Sequence, residues 1–274
     1  MSQCRINGFE IGKPAPVRIM GVINLSPESF FNGATVKPSD VLAAARKMVG
    51  EGADIIDIGA RSTSPSAVPV SPDVEAERMA LALRELDGSG ITVSVDTTRP
   101  GVLKRCLRFD IHAVNDIGGL ADREYGKIIA DSGLPAFLMA SLTAPGDQTD
   151  ITSTLHTLGT VISRCRTFGI EEYVLDPAIG LWGPGRSVDL DWELCRNFWE
   201  FTQFNRPLLA AVSRKTFIGN LLGLDNPADR LAGSLAVTML LLHAGADIVR
   251  CHDVMETKEA VRVYEEMERK CREK

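Results

Sequence analysis

The chain has 274 residues, 45% of them hydrophobic and 24% charged, with a net charge of −6. That balance is ordinary for a globular protein and argues against general nucleic-acid binding, while leaving room for a local basic site. No apolar run approaches the roughly 20 residues of a membrane helix, and no hydrophobic signal core follows Met1-Ser2-Gln3-Cys4-Arg5. The expectation is a cytoplasmic protein with no membrane association. The six cysteines, Cys4, Cys106, Cys165, Cys195, Cys251 and Cys271, form no Cys-x-x-Cys pair, so free thiols rather than zinc ligands are expected.

In chain order, residues 1–17 read as an N-terminal leader or short hairpin, broken by Gly8, Gly12, Pro14 and Pro16. Arg18 to Ile23 is the first apolar run and ends at Asn24; Pro38-Ser39-Asp40 then opens a helix. A second run, Ala53 to Ile58, closes on Gly59-Ala60-Arg61-Ser62-Thr63, and Ser71-Pro72 starts the next helix. The alternation continues. Runs at 91–95, 111–114, 135–139 and 173–175 are each followed by a helical pattern, near 100–107, 123–130, 151–167 and around Trp192 and Trp199. Leu208 to Val212 is a continuous apolar run that stops abruptly at Ser213-Arg214-Lys215, as suits a strand buried on both faces. A helix near 227–243, a run at 247–249 ending in Arg250-Cys251-His252-Asp253, and a helix near 256–272 complete the chain.

Eight strand-then-helix units imply a parallel sheet with right-handed crossovers. Eight of them in about 250 residues imply one closed (β/α)8 TIM barrel, an α/β fold filling residues 1–274 as a single domain. An open doubly wound sheet is the alternative, but its Gly-x-Gly-x-x-Gly fingerprint is absent after an early strand.

In a barrel the residues just past the strands project into one mouth. Asp96, Asn115, Asp176 and Lys215 can hydrogen-bond a flat polar heterocycle, and a buried Asp176 needs donors such as an amino group beside a ring N–H. Asn24, Thr63, Arg250 and His252 supply the donors an anion such as phosphate requires. Blander roles exist: Asp96 could cap the following helix, and Asn115-Asp116 could be turn residues. His112, His156 and His243 read as structural.

These residues sit in motifs that together resemble dihydropteroate synthase and the wider pterin-binding barrel family over about Arg18 to Val263. The motifs are Ile19-Met20-Gly21-Val22-Ile23-Asn24-Leu25-Ser26-Pro27-Glu28-Ser29-Phe30, Asp57-Ile58-Gly59, Ser62-Thr63, Ser94-Val95-Asp96-Thr97, Val114-Asn115-Asp116-Ile117, Leu175-Asp176-Pro177, Ser213-Arg214-Lys215, Gly233-Ser234-Leu235 and Val249-Arg250-Cys251-His252-Asp253. The resemblance implies that Asp96, Asn115, Asp176 and Lys215 bind a pterin ring. It implies that Asn24, Thr63, Arg250 and His252 hold a diphosphate leaving group, with Mg2+ beside Asn24, and that Asn24, Lys215, Arg250 and His252 serve the reaction. It also implies a homodimer built through the late helices.

Departures fall on the loops that receive the second substrate, to which Phe30, Arg61, Ser64, Ser213 and Arg214 are assigned. The family's Gly-Gly-Glu-Ser-Thr-Arg-Pro-Gly is Gly59-Ala60-Arg61-Ser62-Thr63-Ser64-Pro65-Ser66 here, so an arginine is lost after Thr63 and one is gained at position 61. The pattern is similar to a divergent, archaeal-like branch. The implied activity is transfer of the pterinylmethyl group from 6-hydroxymethyl-7,8-dihydropterin diphosphate to an arylamine, in folate or methanopterin synthesis. The amine is p-aminobenzoate or a ribosylated, phosphorylated aminobenzene. The alternatives are a pterin-dependent methyltransferase acting with a corrinoid protein, and a pterin-binding protein without turnover.

Overall fold

The computed structural model describes residues 3–26, 36–61, 69–183 and 185–272. A short antiparallel hairpin, β1 (Cys4–Ile6) and β2 (Phe9–Ile11), leads into eight parallel strands. These are β3 (Arg18–Asn24), β4 (Ile55–Gly59), β5 (Val93–Asp96), β6 (Ala113–Asp116), β7 (Ala136–Met139), β8 (Tyr173–Asp176), β9 (Leu209–Ala210) and β10 (Ile248–Cys251). Their order is β8-β7-β6-β5-β4-β3-β10-β9. The sheet closes on itself where the Leu175 N–H donates to Pro207 O at 2.9 Å and Leu175 bridges Leu208 in parallel. The result is a (β/α)8 barrel.

The helices on its outside are α1 (Val41–Glu51), α2 (Pro72–Leu86), α3 (Pro100–Cys106), α4 (Arg123–Ser132), α5 (Ile151–Phe168), α6 (Val188–Arg196), α7 (Thr216–Leu222), α8 (Leu231–His243) and α9 (Val254–Arg272). Local chemistry sets several of their ends. Asp150 and Ser153 form a capping box at the start of α5, and Ser71 and Asp122 accept backbone N–H groups at the starts of α2 and α4. Two elements depart from the sequence pattern. The helical pattern around Trp192 and Trp199 is α6 followed by a 3-10 stretch at Phe198–Phe204, with Asn197 between them. The short α7 begins directly after Lys215, where the pattern gave no helix of its own.

The strand expected over Leu208 to Val212 pairs over only two residues. Leu208 adds a single parallel bridge to Leu175, and its N–H is taken by the Asp247 carboxylate at 3.0 Å, so the part of the run left unpaired is Ala211 and Val212. Beyond Ala210 the chain turns away to present Ser213–Lys215, with Arg214 at φ 59°.

The barrel interior follows the two-residue period of a strand. Cys4, Ile6 and Ile11 of the hairpin pack against Met20, Ile55, Ala113, Phe137, Val174, Leu209 and Ile248 in one apolar layer. The hairpin therefore plugs the end of the barrel opposite the strands' carboxyl ends. With Met20, Ile55, Ala113, Val174 and Ile248 pointing inward, the residues two positions on must do the same. Those are Val22, Asp57, Asn115, Asp176 and Arg250, so a polar layer lies directly above an apolar one. Gly21 faces outward; a Cβ there would meet the Met48 sulfur at 3.0 Å and Val254 at 3.2 Å, which lets α1 and α9 seat against β3.

The apolar plug should matter for stability and not for ligand affinity. Ile6→Ala should cost about 2–4 kcal/mol, the range for truncating a fully buried aliphatic side chain. Urea unfolding would measure the loss. An effect below about 1 kcal/mol would show that the hairpin does not seal the barrel.

Candidate active site

The mouth of the barrel holds a cavity of about 160 Å3 lined by Asn24, Arg61, Asp96, Asn115, Asp176, Lys215, Arg250 and His252, with Val22, Ser26, Ile117, Trp182 and Ala211. All the sequence-assigned pterin residues and three of the four assigned to the diphosphate thus converge. Phe30, Thr63 and Ser64 lie outside the described residues. Ser213 and Arg214 are not part of the cavity lining.

Asp57 is the residue that organises the floor. It is fully buried, and its Oδ2 accepts from Arg250 Nε at 2.7 Å and from Asn115 Nδ2 at 2.9 Å. Arg250 reaches onward with Nη2 to Asp96 Oδ2 at 3.1 Å. One guanidinium on β10 thus ties together β4 and β5, while β6 joins through Asn115. The sequence reading quoted Asp57 inside a motif and gave it no role. The signal was available: a lone carboxylate in the apolar run Ile55-Ile56-Asp57-Ile58 is costly unless paired. The structure also moves Arg250 from where the sequence grouping had it. Its guanidinium lies among the carboxylates of the heterocycle side, not solely among the anion donors.

On the opposite side, Asp176 Oδ1 accepts the Ala178 N–H at 2.8 Å. Burial pushes the Asp176 carboxyl up, against the pull of that N–H and of Lys215. Burial pushes the Lys215 ammonium down, against Asp176. The Lys215 ammonium lies 4.6 Å from the Trp182 ring centroid. Gly180, at φ 138°, makes room for it; a Cβ there would lie 2.8 Å from Lys215 Nζ.

His252 completes the wall. Its backbone N–H donates to Ser213 Oγ at 3.2 Å, and the same hydroxyl lies 3.0 Å from His252 Nδ1. The hydroxyl has one proton and two lone pairs, so it donates to Nδ1 or accepts from it according to the imidazole tautomer. Burial, then Arg250 and Arg214, push this histidine down to about 3. It is a neutral imidazole across the physiological range.

The remaining assigned residues have partners that constrain their roles. Arg214 is bidentate on Asp253, at 3.0 and 2.5 Å. Its N–H donates to Ser234 Oγ at 2.9 Å, and its carbonyl accepts from Arg230 at 3.0 Å. It therefore builds the loop that carries Lys215. Arg61 keeps one edge on the cavity; its Nε is 3.4 Å from Glu75 Oε2 and its Nη2 donates to Thr98 Oγ1 at 3.1 Å. Asp116 is a turn residue, its carboxylate accepting the N–H groups of Gly118 and Leu120 at 2.8 and 2.7 Å. Asp96 caps no helix; Arg99 holds the N-cap position of α3. Among the described residues no group of three or more His, Cys, Asp or Glu is arranged to hold a metal ion.

The fold and site define a (β/α)8 barrel with a polar pocket at the strands' carboxyl ends, suited to a flat hydrogen-bonding ring beside an anion. Residues 20–252 match the pterin binding enzyme family. The dihydropteroate synthase of Escherichia coli K12 is 35% identical over 258 residues, covering 90% of each chain. Among solved structures, a Xanthomonas albilineans dihydropteroate synthase with 4-aminobenzoic acid superimposes at a TM-score of 0.86 with 30% identity, covering 97% of this chain and 98% of that one. A Coxiella burnetii dihydropteroate synthase in complex with pteroic acid gives 0.85 and 30%, covering 96% and 98%. This chain belongs to the pterin-binding enzyme family.

Asp96 gives the site a pH signature. Burial, then the neighbouring Asp57, raise its carboxyl to about 7 despite Arg250. An unfolded aspartate titrates near about 4. The folded value lies above the unfolded one, so this carboxyl's contribution to stability is complete below about pH 4 and is lost as the pH rises through about 7. Asp96→Asn cannot ionise and escapes that loss. Relative to the wild type it should gain about 2 kcal/mol between about pH 5 and pH 8, read from urea unfolding at both. A difference that stays constant with pH would show that Asp96 titrates as an ordinary aspartate.

Proposed function

We propose that this chain is a dihydropteroate synthase-type transferase that joins 6-hydroxymethyl-7,8-dihydropterin diphosphate to an arylamine and releases diphosphate, in folate synthesis. The observation that supports this most directly is one pocket combining acceptors for a ring's N–H groups with a separate set of anion donors. It does so on a chain 35% identical, over 90% of its length, to the Escherichia coli dihydropteroate synthase. The solved relatives add the expected chemistry: one carries pteroic acid and another 4-aminobenzoic acid.

In this reading the pterin lies over Asp57, Asp96 and Asn115, with its amino group and ring N–H on Asp176 and a ring acceptor toward Lys215. The diphosphate lies toward Asn24, the neutral His252 imidazole and Arg250. The C–O bond to the diphosphate breaks, and its electron pair leaves with the phosphate oxygen. The electron-rich ring delocalises the cation on the exocyclic carbon. The amine lone pair forms the C–N bond, and its surplus proton passes to solvent or to the departing diphosphate. No side-chain nucleophile is required; the protein's contribution is position and stabilisation of the leaving charge.

Mg2+ enters as the companion of the diphosphate. The residues present fit that role only in part: Asn24 offers one neutral oxygen, and Mg2+ commonly takes one or two protein ligands, with phosphate oxygens and waters filling the rest. When bound it would neutralise charge on the leaving group. A homodimer through the late helices is supported by Leu221 on α7, Leu240 on α8, and Val263 and Met267 on α9, each more than three-fifths exposed. No helix among the described residues is long and apolar enough to cross a membrane, and the cytoplasm is the compartment in which we place the reaction.

Isothermal titration with the pterin diphosphate, with and without p-aminobenzoate, followed by a turnover assay, tests the reading. Asp176→Ala should weaken pterin binding by about 2–4 kcal/mol, the scale for stranding buried polar partners. Unchanged affinity would remove Asp176 from the pterin site, and absence of pterin binding by the wild type would remove the transferase reading. Sedimentation should give twice the chain mass; a monomer at micromolar concentration would rule out the dimer.

A further inference from the structure

The pocket of about 160 Å3 is small beside the usual ligand site of about 300–1,000 Å3. A second cavity of about 410 Å3 adjoins it. The two share Arg61, Ile117 and Trp182 as a common wall. The second lies between the loop that follows β7 and the loop that follows β8, with Ala144 and Gln148 on one side and Gly183 and Arg186 on the other.

This cavity is built rather than left over. Buried Arg186 stitches its two loops together, donating to the carbonyls of Ala178 and Gly180 in one loop and to Gln148 O, at 3.1 Å, in the other. Trp182 is pinned by its Nε1–H on Ala178 O at 2.9 Å. Its ring sits where a Cβ on Gly146 would fall, 2.4 Å away. Only glycine lets the two loops approach that closely.

The charge at the shared wall is positive. Glu75 is fully buried on α2 and faces two arginines, Arg99 at 2.9 Å and Arg61 at 3.4 Å, along with the Thr97 hydroxyl at 2.6 Å. One carboxylate faces two guanidiniums, and the other acid near Arg61, Asp96, is held by Arg250 at 3.1 Å, so Arg61 carries net positive charge to the rim of both cavities. The other cation in the cavity, Arg186, is committed to three carbonyls and to Asp191. The one carboxylate in the lining, Asp147, is turned onto its own loop, accepting the N–H groups of Leu142, Thr143 and Ala144.

We infer that this second cavity receives an anionic extension of the arylamine, with Arg61 as its counter-charge. The inference rests on the transferase reading above and names the class of second substrate: an arylamine whose ring carries an anionic substituent longer than a single carboxylate.

The test compares p-aminobenzoate with p-aminobenzoylglutamate, an arylamine with an extended anionic tail, using wild type, Ala144→Trp and Arg61→Met. Ala144 only lines the second cavity, and tryptophan there should fill it. The expected result is a fall of at least about tenfold in kcat/KM for p-aminobenzoylglutamate in Ala144→Trp, with p-aminobenzoate within about twofold. Arg61→Met should raise KM for the extended amine more than for p-aminobenzoate. A single cooperative urea-unfolding transition in each would show both variants folded. Equal effects of Ala144→Trp on the two amines, no effect on either, or failure of wild type to use the extended amine while using p-aminobenzoate would overturn the subsite alone. Failure of wild type to use either amine would overturn the transferase reading and the subsite with it.

Discussion

The mouth of this barrel depends on the contact between Arg250 and Asp57. Asp57 is fully buried at mid-strand, where an unpaired carboxylate would be driven to neutrality or would unfold its surroundings. Arg250 reaches it at 2.7 Å from the strand two places away around the barrel and continues to Asp96 at 3.1 Å. Asn115 closes the arrangement from the far side at 2.9 Å. Four strands are thereby fixed relative to one another by polar groups at the level where a ligand would rest. The layer beneath, capped by the hairpin, is apolar and excludes water from this network. Low local dielectric strengthens the network while it is complete and makes loss of any member expensive.

A second set of buried arginines does for the loops what Arg250 does for the strands. Arg230 donates to the carbonyls of Arg214, Leu224 and Asp225, and with Ser234 it fixes the turn that delivers Lys215. Gly219 packs so closely on this arginine that a Cβ would lie 2.3 Å from its Nε. Arg186 performs the same service for the loop after β8, and Asp191 accepts the Gly180 N–H at 2.7 Å. Lys215 and Gly180 meet where these two supports converge. Each arginine replaces loose carbonyls with a planar fork of donors.

The barrel was legible because its signal is repetitive: each apolar run ends in a polar residue, and each is followed by a helical period. The site was legible for a related reason, since strand ends in a barrel share one mouth. Asp96, Asn115, Asp176, Lys215 and His252 were all found from that rule. What escaped depends on pairing across the barrel, which no local pattern encodes. Asp57 lies one layer down, so the strand-end rule passed over it. Glu75 looks like an ordinary helix-surface acid until the fold buries it against Arg61 and Arg99. The β9 run extends to Val212 in apolar content, while the chain leaves the sheet after Ala210 to present Ser213–Lys215. The packing of Trp182 on Gly146 arises between two loops that are distant in sequence and stitched together by Arg186.

The electrostatics of the pocket fit a reaction in which negative charge departs. Asp57, Asp96 and Asp176 face Arg250, Lys215 and Arg61, so carboxylates and cations balance in number. Asp96, raised to about 7 by burial and by Asp57, is the acid whose charge changes near neutral pH. His252 contributes a polar ring without a charge, because burial beside two arginines keeps it neutral. Fixed positive charge is instead concentrated on Arg250, whose guanidinium is already anchored by two carboxylates and need not reorganise as charge develops. The raised carboxyl of Asp96 and the neutrality of His252 are thus two consequences of the same burial.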